Sequence, residues 1–216
     1  VKRKFIGDEK FGIVVYEKQI TNCDNHIQNI ENTASGTITG ECLWAKAEVG
    51  LYQFDEEHRK CFDWKPTEEW VNSIKHKDSK FVETFNNIKN SVLFTAQNYA
   101  RHYNIHLGYM EVMNFIKYYE GDFFNYHSDD GATYIATVSS IAYLNDDYEG
   151  GGLHFKFLDL EYKPQTGDIV VFPSTFLYTH SAMSVKNGTK YSVVTMFDYN
   201  RKEFIDTSGK NRKYLE

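Results

Sequence analysis

Three side chains in the C-terminal half have the types and spacing of a metal-binding set. In YYEGDFFNYHSDDG, His127 and Asp129 stand two residues apart at the end of a run that reads as a strand. The two-residue period of a strand turns both side chains to the same side. His180, in STFLYTHSAMSVKNGTKY, supplies a second imidazole. Two imidazoles and one carboxylate on one face of a metal leave three positions open, as at non-haem Fe(II) sites, whereas a tetrahedral zinc catalyst leaves about one. Spacing alone does not choose the metal. Asp130 is an adjacent alternative ligand, but the H-x-D spacing favours Asp129. A chain with eight His produces one such pair easily by chance, so the surroundings carry the weight.

Ten residues after His180 comes Lys190, in a run whose alternation puts Lys190, Ser192, Val194 and Met196 on one face. A lysine on an apolar inward face needs an anion. An isolated lysine of this kind is more often a surface residue of an edge strand, and only the pairing with the triad reverses that reading.

The elements that must position these groups follow from periodicity. Phe81, Phe85, Ile88, Val92, Ala96, Tyr99 and Tyr103 recur at spacings of three and four, which predicts an amphipathic helix of about six turns. Residues 11–17 (FGIVVYE) read as a buried strand, and Ile20, Ile27 and Ile30 mark one face of a short helix. PTEEWVNSIKH reads as another short helix, opened by Pro66. Residues 32–63 mix Gly, Ser and Thr with short apolar pieces and read as irregular strands and long loops. From residue 110 the pattern becomes short β runs (EVMNFIKYY, YIATVSSIAYL, LHFKF, DIVVF, YSVVTMFDY) separated by Gly, Asp and Asn turns, which predicts an antiparallel sheet domain. The organisation expected is a single domain over residues 1–216. It comprises a helical and loop support region at 1–109, a β core at 110–200 and a polar tail at 201–216.

Composition narrows the class of function. At 216 residues, 41% hydrophobic and 25% charged, the chain is neither disordered nor fibrous and is too short for two full enzymes. Sixteen Tyr and sixteen Phe against three Pro favour strands. A net charge of -6 argues against a phosphate-collecting surface, so nucleic acid is not an expected partner. The longest apolar runs are far short of the ~20 residues of a membrane span, and the N-terminus lacks a signal-type apolar region. Cys23, Cys42 and Cys61 form an odd set without a C-x-x-C pair, which suits neither a disulfide framework nor a zinc knuckle. A reducing, cytoplasmic setting is the expectation, and the Lys- and Asn-rich composition would suit a microbial or viral source.

The order of motifs is more specific than any one of them. Tyr118-x-x-Gly121-x-x-Phe124-x-x-His127-x-Asp129 resembles the signature of the prolyl 4-hydroxylase family of Fe(II)- and 2-oxoglutarate-dependent dioxygenases. ATV with Tyr143-Leu144, then EGGGLHF, PQTGDIVVFPS, and the run from His180 to Lys190 resemble later segments of that family in the same order. The resemblance covers about residues 112–198 well and the N-terminal half loosely.

It implies a mainly β fold with supporting helices, a double-stranded β-helix or jelly roll. It implies Fe(II) held by His127, Asp129 and His180, and 2-oxoglutarate with its distal carboxylate on Lys190. Tyr143 is the expected hydroxyl donor to that carboxylate and Tyr118 a second polar contact. O2 would be the other cosubstrate and ascorbate an optional reductant. The reaction implied is hydroxylation of a C–H bond, foremost of a peptidyl proline, with release of succinate and CO2. Retention of Asp129 argues against the related halogenases, in which chloride takes the carboxylate's place. Met196 stands where the family often has Trp, which weakens the inference to proline. A free amino acid or small molecule is the alternative substrate, and a jelly-roll binding module without turnover is the alternative of another class. His154 reads as a strand residue, and no role is assigned to His26, His58, His76, His102 or His106. Residues 32–65, with Trp44 and Trp64, are the candidates for a lid.

Overall fold

The structure is a computed structural model and describes residues 1–50, 54–131 and 135–199. The 201–216 tail assignment and Tyr134, the expected start of a strand, lie outside the described residues. Sixteen strands, three α-helices and two single-turn 3-10 helices are described. The strands of the first half are β1 (Arg3–Phe5), β2 (Val14–Tyr16), β3 (Ala45–Lys46), β4 (Arg59–Lys60) and β5 (Phe62–Trp64). Those that follow are β6 (Tyr109–Met110), β7 (Asn114–Tyr118), β8 (Phe123–His127), β9 (Val138–Tyr143), β10 (Glu149–Gly150) and β11 (Leu153–Phe155). The last are β12 (Leu160–Tyr162), β13 (Ile169–Pro173), β14 (His180–Ala182), β15 (Val185–Asn187) and β16 (Lys190–Asp198). The helices are α1 (Cys23–Ala34), α2 (Glu68–Ser73) and α3 (Ser79–Tyr103).

The major sheet runs β1-β2-β13-β9-β16-β7-β5-β3, with β6 beside β16, and the minor sheet runs β12-β11-β14-β8-β4. Every pairing is antiparallel. The pleat explains the two cores. Ile169 and Val171 of β13, Ala142 of β9, and Val193 and Phe197 of β16 turn toward the helices, where they pack with Phe81, Phe85, Ile88, Val92, Ala96 and Tyr99 of α3. The alternate residues Val170, Phe172, Ile141 and Tyr143 turn the other way and meet Leu153, Phe155 and Tyr162 of the minor sheet. Two antiparallel sheets facing each other over a core is the jelly-roll arrangement, here without a closed barrel.

α3 is where the spacing predicts it. Asp78 caps its start by accepting the Phe81 N–H at 2.9 Å, and Asn104 ends it in the left-handed region at φ 51°. Two expectations for the smaller helices are corrected. Ile20 precedes α1, whose buried face is instead Cys23, His26, Ile30, Thr33 and Ala34. Pro66 precedes α2, and Thr67 caps it by accepting the Trp70 N–H at 3.2 Å. The first half also contributes more strand than expected. β1 and β2 extend the major sheet beyond β13, β5 pairs with β7, and β4 pairs with β8. Trp64, a lid candidate, is instead in the helix-side core, its ring stacked 4.9 Å from that of Phe81. Among the described residues, no helix is long and apolar enough to cross a membrane.

Candidate metal centre and adjoining cavity

β8 and β14 are neighbours, and their register places His127 directly opposite His180. The two imidazole rings consequently lie 4.4 Å apart between centroids. Asp129 lies two residues past the end of β8, so the strand pleat alone does not aim it. Its carboxylate nevertheless reaches both rings, with Oδ1 3.5 Å from His127 Nε2 and Oδ2 3.8 Å from His180 Nε2. One ligand atom from each of the three residues falls within 4.8 Å of the others, close enough to share one ion.

Both histidines are oriented through Nδ1. His127 Nδ1 donates to the Asn125 carbonyl at 2.8 Å, and His180 Nδ1 donates to the Tyr178 carbonyl at 2.9 Å. A carbonyl only accepts, so Nδ1 carries the proton and Nε2 presents its lone pair, the orientation that metal-binding histidines take from their outer hydrogen bonds. Burial pushes the His180 imidazole down to about 4, against the pull of Asp129, so its ring is neutral at pH 7. Burial alone would raise the Asp129 carboxyl, but the two imidazoles and a hydrogen bond from Ser139 outweigh it and hold it well below the usual carboxylate range. Phe124 stacks flat on His127 with centroids 3.6 Å apart, and Phe172 meets His180 edge-on at 4.9 Å. The donor set is one carboxylate oxygen and two imidazole nitrogens, held by two backbone carbonyls, the Ser139 hydroxyl and the rings of Phe124 and Phe172, and it fits a first-row divalent metal such as Fe(II).

The triad opens into a cavity of about 90 Å³ whose walls include Arg59, Tyr118, Tyr143, Lys190, Ser192, Val194 and Met196. The period-2 reading of the Lys190 strand is therefore met on its cavity side. Lys190 is 2% exposed, yet among the described residues no carboxylate lies within ion-pair distance of it. Its ammonium donates to the Gly151 carbonyl at 2.6 Å and sits over the rings of Tyr118, Tyr143 and Tyr148 at 5.1, 5.3 and 5.9 Å. Burial pushes it down to about 7. Gly151 makes the approach possible, because at φ +61° a Cβ there would meet the Tyr148 ring at 2.6 Å and the Lys190 stem at 3.3 Å. A buried cation with aromatic faces but no counter-ion fits the free carboxylate of a dicarboxylic acid such as 2-oxoglutarate.

Other sequence candidates fall elsewhere. The Asp130 carboxylate accepts the Ala136 N–H at 3.3 Å and is not part of the metal-ligand group. His154 pairs with the Tyr126 hydroxyl at 2.8 Å on the partly exposed face of β11. Three further residues border the site without being among the sequence candidates. Ser139 bonds Asp129, and alternation with Ile141 and Tyr143 was a signal that placed it on this face. Tyr148 carries a buried hydroxyl without a hydrogen-bond partner among the described residues. Arg59 enters from β4 and is held by the Glu48 carbonyl at 2.9 Å and Asp63 at 3.3 Å, with its guanidinium 4.7 Å over Phe124. No local sequence signal marks it.

The stretch that carries this geometry resembles a known superfamily. Residues 113–198 match the 2OG-Fe(II) oxygenase superfamily. That superfamily uses Fe(II), 2-oxoglutarate and O2, and the matched stretch contains the triad and Lys190. Among solved structures, a prolyl hydroxylase from Trichoplax adhaerens in complex with a hypoxia-inducible-factor oxygen degradation domain peptide fragment superposes with a TM-score of 0.73. It is 12% identical, and the similarity covers 92% of this chain and 88% of that one. The viral collagen prolyl hydroxylase of Paramecium Bursaria Chlorella virus-1, in its 2-oxoglutarate complex, gives 0.58 at 14% identity over 86% and 94% of the two chains. A Pseudomonas putida prolyl-4-hydroxylase gives 0.56 at 18% identity over 88% and 94%. At these identities the likeness is one of fold. Among curated proteins, none is similar enough in sequence to match. The matched stretch is thus similar to 2OG-Fe(II) oxygenases, and the fold is the one these hydroxylases share.

Proposed function

We propose that this chain is an Fe(II)- and 2-oxoglutarate-dependent oxygenase that hydroxylates a proline residue in a peptide or protein, with His127, Asp129 and His180 holding Fe(II) and Lys190, Tyr143 and Tyr118 holding 2-oxoglutarate. The observation that carries the reading is the pairing, in one cavity, of a preoriented His-Asp-His set with a buried lysine that has no counter-ion among the described residues. Either feature alone has an ordinary structural explanation; together they match the two ends of a chelating keto acid.

When bound, Fe(II) and the keto acid supply the oxidising step, in which O2 is reduced as 2-oxoglutarate becomes succinate and CO2 and one oxygen atom goes to a substrate carbon. The protein's own part is placement. His127 and His180 present Nε2, Asp129 adds a negative charge that suits a divalent metal, and Phe124 and Phe172 wall the rings against water. Lys190 gives a charge-assisted hydrogen bond to the distal carboxylate, and the three tyrosine rings around it keep that bond dry and strong.

The choice of a peptide rests on the fold shared with prolyl hydroxylases, one of which holds a peptide fragment. A proline-containing peptide library incubated with the protein, Fe(II), ascorbate and 2-oxoglutarate, and read by mass spectrometry, tests it. Oxygen incorporation at proline is expected. Incorporation only into free amino acids would move the substrate to a small molecule.

A further inference from the structure

The position of Asp129 past the end of β8 raises the question of what aims it. Three serines provide the answer. Ser139 Oγ lies 2.6 Å from Asp129 Oδ2 and 2.7 Å from Ser174 Oγ, and both serines are buried, at 0% and 1% exposure. An ionised carboxylate only accepts, so the Ser139 hydrogen goes to Asp129 and the Ser174 hydrogen goes to Ser139. The turn that carries Asp129 is docked on the same residue, because the Ser174 carbonyl accepts Ser128 Oγ at 3.1 Å and the Asp130 N–H at 3.0 Å. Ser174 is itself tied to the sheet through its N–H, which donates to the Thr137 carbonyl at 3.1 Å.

We propose that Ser139, oriented by Ser174, is a positioning residue that restrains Asp129 Oδ2 so that the carboxylate offers the metal one oxygen rather than two. The inference rests on the Fe(II) and 2-oxoglutarate reading and deepens it. Two imidazoles and one carboxylate oxygen leave three of six octahedral positions, two for the keto acid and one for O2. A carboxylate bound through both oxygens would leave two, and the keto acid would fill them. Ser139 thus keeps the O2 position open. Its hydrogen bond is charge-assisted, short and inaccessible to competing water, the conditions under which a single outer contact controls a ligand's geometry.

Mn(II) is the probe that separates this role from a structural one. In the Mn(II)-loaded protein with 2-oxoglutarate, the remaining position holds an exchangeable water that water-proton relaxation detects. Ser139→Ala is expected to lose at least about half of that relaxation enhancement and to bind Mn(II) roughly 10–100-fold more weakly. Ser139→Thr, which keeps the hydroxyl, is expected to restore both. Ser174→Ala removes the donor behind Ser139 and is expected to shift both readouts in the same direction by less; it serves if Ser139→Ala does not fold by circular dichroism. A Ser139→Ala or Ser174→Ala protein with the wild-type relaxation and affinity overturns the proposal alone. Wild-type protein that binds no Mn(II) overturns it together with the metal reading.

Discussion

A lysine ammonium buried among aromatic faces gives up its hydration without gaining a counter-ion, and Lys190 is in that state. Its proton is held only to about pH 7 in the folded chain, against 10.5 in the unfolded one. Between those values the unfolded chain binds more protons, so this residue makes stability rise with pH across that window. An arriving carboxylate restores the charge, so binding of 2-oxoglutarate takes up a proton once the pH exceeds about 7. Affinity for 2-oxoglutarate is therefore expected to weaken above about pH 7, by up to about tenfold per pH unit. Titration into the anaerobic Mn(II) protein at several pH values measures this, and a flat profile would count against it. Lys190→Arg stays charged and should flatten the profile while weakening binding through its different donor geometry. Lys190→Met removes the charge, and with about 3–5 kcal/mol at stake for one partner of a buried pair, affinity should fall by roughly two to three and a half decades. Mn(II) affinity should be nearly unchanged in both. At this scale the sequence was informative wherever residues sharing a function share a strand. Lys190, Ser192, Val194 and Met196 follow from alternation, whereas Arg59 reaches the cavity only through the pairing of β4 with β8, which no local pattern records.

Elements legible in the sequence are those long enough to repeat a period. α3 shows its stripe over six turns, and β13 and β16 are runs of five residues or more rich in β-branched and aromatic side chains, so the helix and both strands follow from the residues. β1, β3 and β4 have two or three residues each, too few for a period, and exist because the edges of longer strands accept them. α3 also shows how one side chain joins two elements. Asp78 caps it and accepts the Thr33 hydroxyl of α1, so Asp78→Ala removes the cap and the link between the helices together. A loss of about 1–2 kcal/mol is expected from urea unfolding. Because α3 packs on the side of the major sheet away from the triad, Mn(II) affinity of the folded variant should stay at the wild-type value. A stability change within about 0.5 kcal/mol would show that the cap is dispensable.

Across the whole molecule, the halves are interleaved rather than stacked as support and core. The helix-side cluster draws Val14, Trp64 and Phe85 from the first half and Phe115, Val171 and Phe197 from the second, and Arg59 brings the first half into the cavity wall. Substrate selection should accordingly involve residues 32–65, excluding Trp64, which is core. Hydrogen exchange on adding a verified peptide substrate is expected to protect amides there, and protection confined to residues beyond 110 would place the peptide wholly on the second half. The central claim, that His127, Asp129 and His180 form a working Fe(II) centre served by 2-oxoglutarate, has a more direct test that needs no substrate. Succinate formed from 2-oxoglutarate under O2 with Fe(II) and ascorbate can be measured for the wild type, Asp129→Ala and His154→Ala. The account predicts succinate from the wild type and His154→Ala and none above background from Asp129→Ala; equal succinate from all three, or none from the wild type, would contradict it.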